Sequence, residues 1–256
     1  MSRLKAIAFF VMLSAFGASA SFDSNDNPWE KSPFQKASDA KVPKKDSVES
    51  AAPKASKWER YFTDKRDGRK YEIAVINKKA WMAENLRYRS SNSECFNGEE
   101  LNCKEEGGRF YTWASAMGVE SKCNISECKL LAKPYIRGVC PEGWHIPSDA
   151  EWKEMLYYVK SKAGSLATRA LKSTYGWKRE NGTNESHFNI YPSGFRFMSG
   201  NFLDRGVTAK FWSTSQLNAR SARSYVLREY YRDTSYMYPD EEYKENELNV
   251  RCVADE

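Results

Sequence analysis

The residues of this chain that could do chemistry are six cysteines, two histidines and a cluster of tyrosines. The cysteines are Cys95, Cys103, Cys123, Cys128, Cys140 and Cys252. An even set can close disulfides, and Cys123 and Cys128 with His145 following also have a tolerable metal-ligand spacing. There is no C-x-x-C pair, and the leader described below points to an oxidising compartment, so disulfides are the expectation. Of the 15 connectivities that six cysteines allow, the chosen set is Cys95–Cys103, Cys123–Cys128 and Cys140–Cys252. That set gives two local loops and one long clamp. His145 and His187 have no motif tying them to a serine and an acid, so no catalytic residue is assigned.

Between Tyr225 and Tyr243 lie six tyrosines, among them Tyr230, Tyr231, Tyr236 and Tyr238. A tyrosine has an apolar face and a hydroxyl, which suits stacking on a sugar or packing a protein partner. The competing use of the same residues is lining the core on alternate strand positions. The four named tyrosines are the candidate binding residues. Asp233, Asp240, Glu241 and Glu242 are calcium-ligand types without a calcium-site pattern, so no metal and no cofactor are expected.

Elements must position these groups. Ser148-Asp-Ala-Glu151 is a capping box, and Ile146 and Trp152 have the spacing of a hydrophobic staple. A helix is therefore expected from Asp149 to about Lys162, with Trp152, Met155, Leu156 and Val159 buried and Gly164 ending it. Arg109–Met117 reads as a short helix stopped by Gly118, and Leu166–Leu171 as another. Tyr71, Ile73 and Val75 alternate with less apolar residues, a half-buried strand. Asn77-Lys78 turns it back into Ala80–Leu86. Ser90–Gly108 reads as a polar loop, and the chain after residue 186 as short strands and turns. Helices first and strands later give an α+β class, with two main helices and short antiparallel strands.

The chain has 256 residues. Residues 1–20 read as a signal peptide: Arg3 and Lys5, an apolar run from Ala6 to Ala18, and the small-residue site Ala18-Ser-Ala20. Removing them takes away two cations and no acid, so the net charge of +6 becomes +4. The charges are mixed without a basic block, which argues against a nucleic-acid surface. No later stretch is long and apolar enough for a membrane span. Residues 21–57, rich in Ser, Lys, Ala and Pro, read as a disordered linker. Residues 58–256 form the folded domain, which should be secreted or associated with the cell envelope.

Several motifs occur in order. They are Asp67-Gly-Arg-Lys-Tyr71, Trp81-Met-Ala-Glu-Asn-Leu86, Gly108–Gly118, Cys140-Pro-Glu-Gly-Trp-His-Ile-Pro-Ser-Asp-Ala-Glu-Trp152, Phe188–Arg196, Ala209–Ser215 and Val250-Arg-Cys-Val253. The series resembles the Fibrobacter succinogenes major paralogous domain, a family of exported bacterial domains with no settled activity, over about residues 60–254. Asn77-Lys78-Lys79 departs from the Gly-containing turn usual in that family, and the Cys123–Cys128 loop resembles an insertion. Trp144–Trp152 and Val250–Val253 are also similar to motifs of the formylglycine-generating enzyme group. That resemblance implies a C-type-lectin-like fold.

The functional expectation is a non-catalytic binding module for polysaccharide or a cell-surface protein. The alternatives are an enzyme related to the formylglycine-generating group and a passive envelope component. The enzyme would need a close redox pair of cysteines late in the fold, and no cysteine lies between Cys140 and Cys252.

Overall fold

A computed structural model describes residues 58–104, 107–129, 135–229 and 236–255. The leader and linker readings, Tyr230, Tyr231 and Asp233 lie outside the described residues. In chain order the elements are β1 (Tyr61–Thr63), β2 (Lys70–Ile76), β3 (Lys79–Met82), β4 (Ser93–Glu94), α1 (Glu100–Lys104), β5 (Phe110–Tyr111), α2 (Trp113–Met117) and β6 (Trp144–His145). Then come α3 (Asp149–Ala163), α4 (Ala167–Leu171), β7 (Phe195–Arg196), β8 (Phe202–Leu203), β9 (Thr208–Gln216), β10 (Ser221–Arg228), β11 (Tyr236–Tyr243) and β12 (Val253–Ala254). The class is α+β with mostly antiparallel strands.

One five-stranded sheet has the order β1-β2-β3-β12-β6, so the last strand sits inside it. Val253 pairs with Trp81 of β3 on one side and with His145 of β6 on the other. The β2–β3 hairpin closes through Asn77 and Lys78, both at positive φ (50° and 68°). That is the conformation of a type I′ turn, which suits the twist of a hairpin. Asn tolerates it well and Lys78 less so.

A second sheet has the order β11-β10-β9. The free edge of β9 is tied by parallel bridges to Gly194 at Ala209 and to Asn249 at Phe211. Antiparallel bridges Arg196–Glu247 and Tyr111–Leu248 carry the pairing on to the small β7–β8 and β4–β5 hairpins.

Two apolar clusters form the core. One gathers Tyr111, Trp113, Trp144, Trp212, Val250 and the Cys140–Cys252 bond. The other gathers Trp81, Trp152, Phe188, Phe211, Tyr225 and Leu227. Trp152 stacks on Tyr225 with ring centroids 5.1 Å apart and meets Trp81 at 5.2 Å. Arg251 is fully buried over the Phe188 and Phe211 rings, and the Glu84 carboxylate acts on it only through its field. Its guanidinium donates to Asn85 Oδ1 at 2.7 Å and to the carbonyls of Met82, Phe188 and Asn189. Burial pushes its pKa down to about 9, so it stays charged at neutral pH.

Several expectations need correction. Only α3 is a long helix; Leu166–Leu171 yields the five-residue α4, so there are not two main helices. The Arg109–Met117 segment is not helical throughout. Phe110 and Tyr111 form β5, and Thr112 caps α2 by accepting the Ser115 amide at 3.2 Å. The second strand ends at Met82 rather than Leu86. The Ser90–Gly108 loop contains β4 and α1. Ile146 and Trp152 bury in different clusters, so they do not staple the helix entry. The capping box itself is present. Ser148 Oγ accepts the Glu151 amide at 3.2 Å, and Glu151 Oε2 accepts the Ser148 amide at 2.9 Å.

Candidate binding surface

Strand β10 places the tyrosine strand. Arg228 pairs directly with Tyr236, Val226 with Tyr238 and Ser224 with Asp240. Directly opposed residues share a face, and side chains alternate along a strand. Tyr236 and Tyr238 therefore stand side by side on one face of β11, the edge strand. Their rings are 5.1 Å apart and tilted by 50°. Tyr236 is 52% exposed and Tyr238 half-buried. On the same face Arg228 bonds Asp204 Oδ2 at 2.5 Å and Thr208 Oγ1 at 3.1 Å. Pro239, which cannot donate to a neighbour, sits mid-strand, and charged Asp240 and Glu241 follow. Both features discourage sheet-to-sheet pairing at the edge.

The other two described tyrosines of the cluster divide between core and surface. Tyr225 is buried on the opposite face of the sheet, under α3. Its hydroxyl donates to Asp149 Oδ1 at 2.8 Å, and burial pushes its pKa up. Tyr243 is exposed at the far end of β11. Two of the calcium-type residues, Glu241 and Glu242, are engaged by protein. Glu242 is buried against Lys210 and accepts from Asn246 at 2.6 Å, and Glu241 accepts from Ser221 at 2.5 Å. Among the described residues no group of three His, Cys, Asp or Glu is placed to hold a metal ion.

The six cysteines form Cys95–Cys103, Cys123–Cys128 and Cys140–Cys252, with Cα separations of 5.3, 5.5 and 6.0 Å. The first two bonds brace loops. The third joins the segment before β6 to the segment before β12, two neighbours in the first sheet.

His145 is only 2% exposed, and both of its ring nitrogens face acids. Nδ1 lies 2.7 Å from Asp255 Oδ1, and Nε2 lies 3.0 Å from Glu151 Oε1. The Tyr135 ring stacks on it at 4.1 Å. Burial works to raise the pKa of Glu151, but hydrogen bonds from His145 and from the Ser148 amide and hydroxyl outweigh it and hold the pKa near about 2. Ser148 Oγ bonds Glu151 rather than His145, so this is not the order of a nucleophile, base and acid. It ties the start of α3 to β6 and the C-terminal segment. His187 is exposed, in a turn closed by its amide on the Asn184 carbonyl.

Sequence reasoning missed three buried cations that shape the loops. Lys172 pairs with Glu229 at 2.8 Å, and the same carboxylate accepts the amides of Arg179 and Glu180. Lys244 donates to Gln216 at 2.7 Å and to the carbonyls of Ser126 and Ala219, over the Trp113 ring. Arg251 is the third. Each joins positions far apart in sequence, and no local pattern marks such pairings.

Residues 75–254 match the family model described as the Fibrobacter succinogenes major domain. The chain belongs to this family. No curated protein and no solved structure matches it. The stretch shared with the Fibrobacter succinogenes major domain begins within β2 and ends in β12. It therefore contains the capping box, all three disulfides and the Tyr236–Tyr238 strand, while β1 lies outside it.

Proposed function

We propose that this protein is an exported, non-catalytic binding module that takes a carbohydrate or a cell-envelope protein at the Tyr236–Tyr238 edge. The observation that carries the reading is the pair itself: two amphipathic rings side by side on an edge strand, one half in solvent, beside a partly exposed ion pair. Core-lining tyrosines are enclosed, as Tyr225 is. Three disulfides in one domain and the leader pattern of residues 1–20 support export.

The finer fold reading, a C-type-lectin-like domain, draws support from the terminal strand lying inside the main sheet beside β6. All six cysteines are in disulfides, which supports a bracing role for Cys252 over a redox one.

The test is a glycan array together with a pull-down from envelope extract, using the intact secreted chain and the Tyr236→Ala/Tyr238→Ala double variant. Retention of a ligand by the wild type and its loss in the folded double variant is the expected result. Equal retention by both would sink the reading.

A further inference from the structure

We infer that Lys210 and Asn246 form a self-modification site. The folded chain joins the two side chains by an amide bond and releases ammonia, with Glu242 as the catalytic acid and base. The inference does not depend on what the tyrosine edge binds.

Three parts of the chain meet at the site. Lys210 is on β9, Glu242 is near the end of β11, and Asn246 is in the segment that follows. The Asn246 amide donates to the Tyr243 carbonyl at 3.0 Å, which turns the chain after β11. The Asn249 amide donates to the Lys210 carbonyl at 3.1 Å, which lays the next residues along β9.

The residue types and their contacts suit one reaction. An amine is a nucleophile, and a carboxamide is an electrophile with a nitrogen to lose. A carboxylate touching both can carry protons between them. Glu242 Oε2 contacts Lys210 Nζ, and Glu242 Oε1 accepts from Asn246 Nδ2 at 2.6 Å. One carboxylate thus holds the attacking and the leaving nitrogen on its two oxygens. The orientation of the Asn246 carboxamide is fixed, because its Oδ1 accepts the Met198 amide at 2.8 Å and a backbone N–H can only donate. The same N–H stands where negative charge grows on Oδ1 when Cγ is attacked, as an oxyanion donor does.

The site is also enclosed. Lys210 and Glu242 are each 7% exposed and Asn246 is 1% exposed. The Phe195 ring covers Nζ, with its centroid 4.2 Å away. Excluding water favours the amine over hydrolysis of the carboxamide. Charge pairing alone would account for Lys210 and Glu242, although a buried ion pair is a costly way to hold a sheet. It does not call for a carboxamide with its leaving nitrogen on the same carboxylate.

In the step, Glu242 first takes a proton from the Lys210 ammonium. The neutral amine then forms the Nζ–Cγ bond, and the electron pair of the carbonyl moves onto Oδ1. Attack needs Nζ to close on Cγ to about 3–3.5 Å, a rotation of the lysine's terminal bonds around the carboxylate it already touches. Glu242 next carries a second proton from Nζ to Nδ2. The carbonyl reforms, the Cγ–Nδ2 bond breaks and ammonia leaves. The product is a neutral amide beside a protonated Glu242. Nothing is oxidised or reduced, and the buried pair of charges is gone.

The test is mass spectrometry of the full secreted chain after reduction and alkylation, which removes the disulfides from the reading. The wild type should weigh about 17 Da less than its alkylated sequence, the mass of one ammonia. Tryptic digestion should give a branched peptide joining residues 206–220 to residues 245–251, uncut after Lys210. Glu242→Gln, with folding verified by circular dichroism, should have the full mass of its own sequence and give no branched peptide. If that variant does not fold, the wild-type digest decides alone.

Recovery of residues 206–210 and 245–251 as separate peptides from the wild type overturns the inference. So does a mass loss that maps elsewhere, such as to Asn181-Gly182, where closure of a backbone imide also releases ammonia. A branched peptide formed equally by folded Glu242→Gln overturns the role given to Glu242.

Discussion

Trp152 and Tyr236 are both large aromatic residues on regular elements, and their surroundings differ in kind. Trp152 meets Trp81, Phe188, Phe211 and Tyr225, and its indole N–H donates to the Trp212 carbonyl at 3.4 Å. Tyr236 packs on Tyr238 and gives half of its surface to solvent. The nearby charges differ in the same way. Arg251, beside the Trp152 cluster, is spent on three carbonyls and one side-chain amide. Arg228, beside Tyr236, holds an acid that water also reaches. The centre therefore uses its polar groups to fix the chain, and the sheet edge leaves them within reach of solvent. Substitutions in the two regions should separate stability from binding.

The largest effect should come from the Cys140–Cys252 clamp, which closes a sequence separation of 112 residues. On the chain-entropy model such a loop is worth about 4.7 kcal/mol, with measured values often lower. Urea unfolding of the Cys140→Ala/Cys252→Ala variant should show a loss of roughly 3–5 kcal/mol. Under conditions where the variant remains folded, its ligand affinity should match the wild type. Unchanged stability would mean that the clamp does not constrain the unfolded chain, and the contrast between centre and edge would lose its strongest member.

A smaller effect is expected from pH at Glu151. Its folded pKa is held near about 2, below the ordinary 4.5, by His145 and Ser148. A depressed carboxylate contributes stability that is complete above 4.5 and is lost as pH falls toward 2. After allowance for its solvent-facing side, the contribution is about 2 kcal/mol. Stability measured across that window should therefore fall less steeply in Glu151→Gln than in the wild type. Parallel curves would show that Glu151 gains nothing from its partners.

What could be read from the sequence follows the range of each interaction. The capping box spans four residues, and the burial stripe of α3 runs along one helix, so both were visible. The β2–β3 turn was also visible as a position, although Asn77 and Lys78 carry no glycine to name its type. Phe110, Trp113, Ala114 and Met117 have helical spacing across the boundary between β5 and α2, and only the Thr112 cap marks where the helix begins. Tyr236 and Tyr238 alternate as strand residues do, but Pro239 between the two ends of β11 obscures its bounds, because proline fits a strand only at an edge or bulge. Asp255 on His145, 110 residues away, and Glu229 on Lys172, 57 residues away, have no local signature. For the candidate surface, Tyr236 and Tyr238 were found by residue type.

The smallest stability effect belongs to the edge, and it is the sharpest test of the contrast. Tyr236→Ala removes a ring that is half in solvent and leaves no enclosed cavity, so the cavity cost of a core truncation does not arise. Its backbone pairing with Arg228 does not depend on the side chain. Exposed substitutions of this kind stay within about 0.5 kcal/mol of wild type. Trp152→Ala, at an enclosed site, should instead cost roughly 3–5 kcal/mol. If Tyr236→Ala in the same urea assay lost several kcal/mol, the ring would be bracing the fold, and any binding defect would have to be read as local unfolding. If it lost almost nothing while ligand retention fell, the tyrosine pair would be acting on the ligand directly, because a folded protein with an intact core would have lost only its exposed aromatic face.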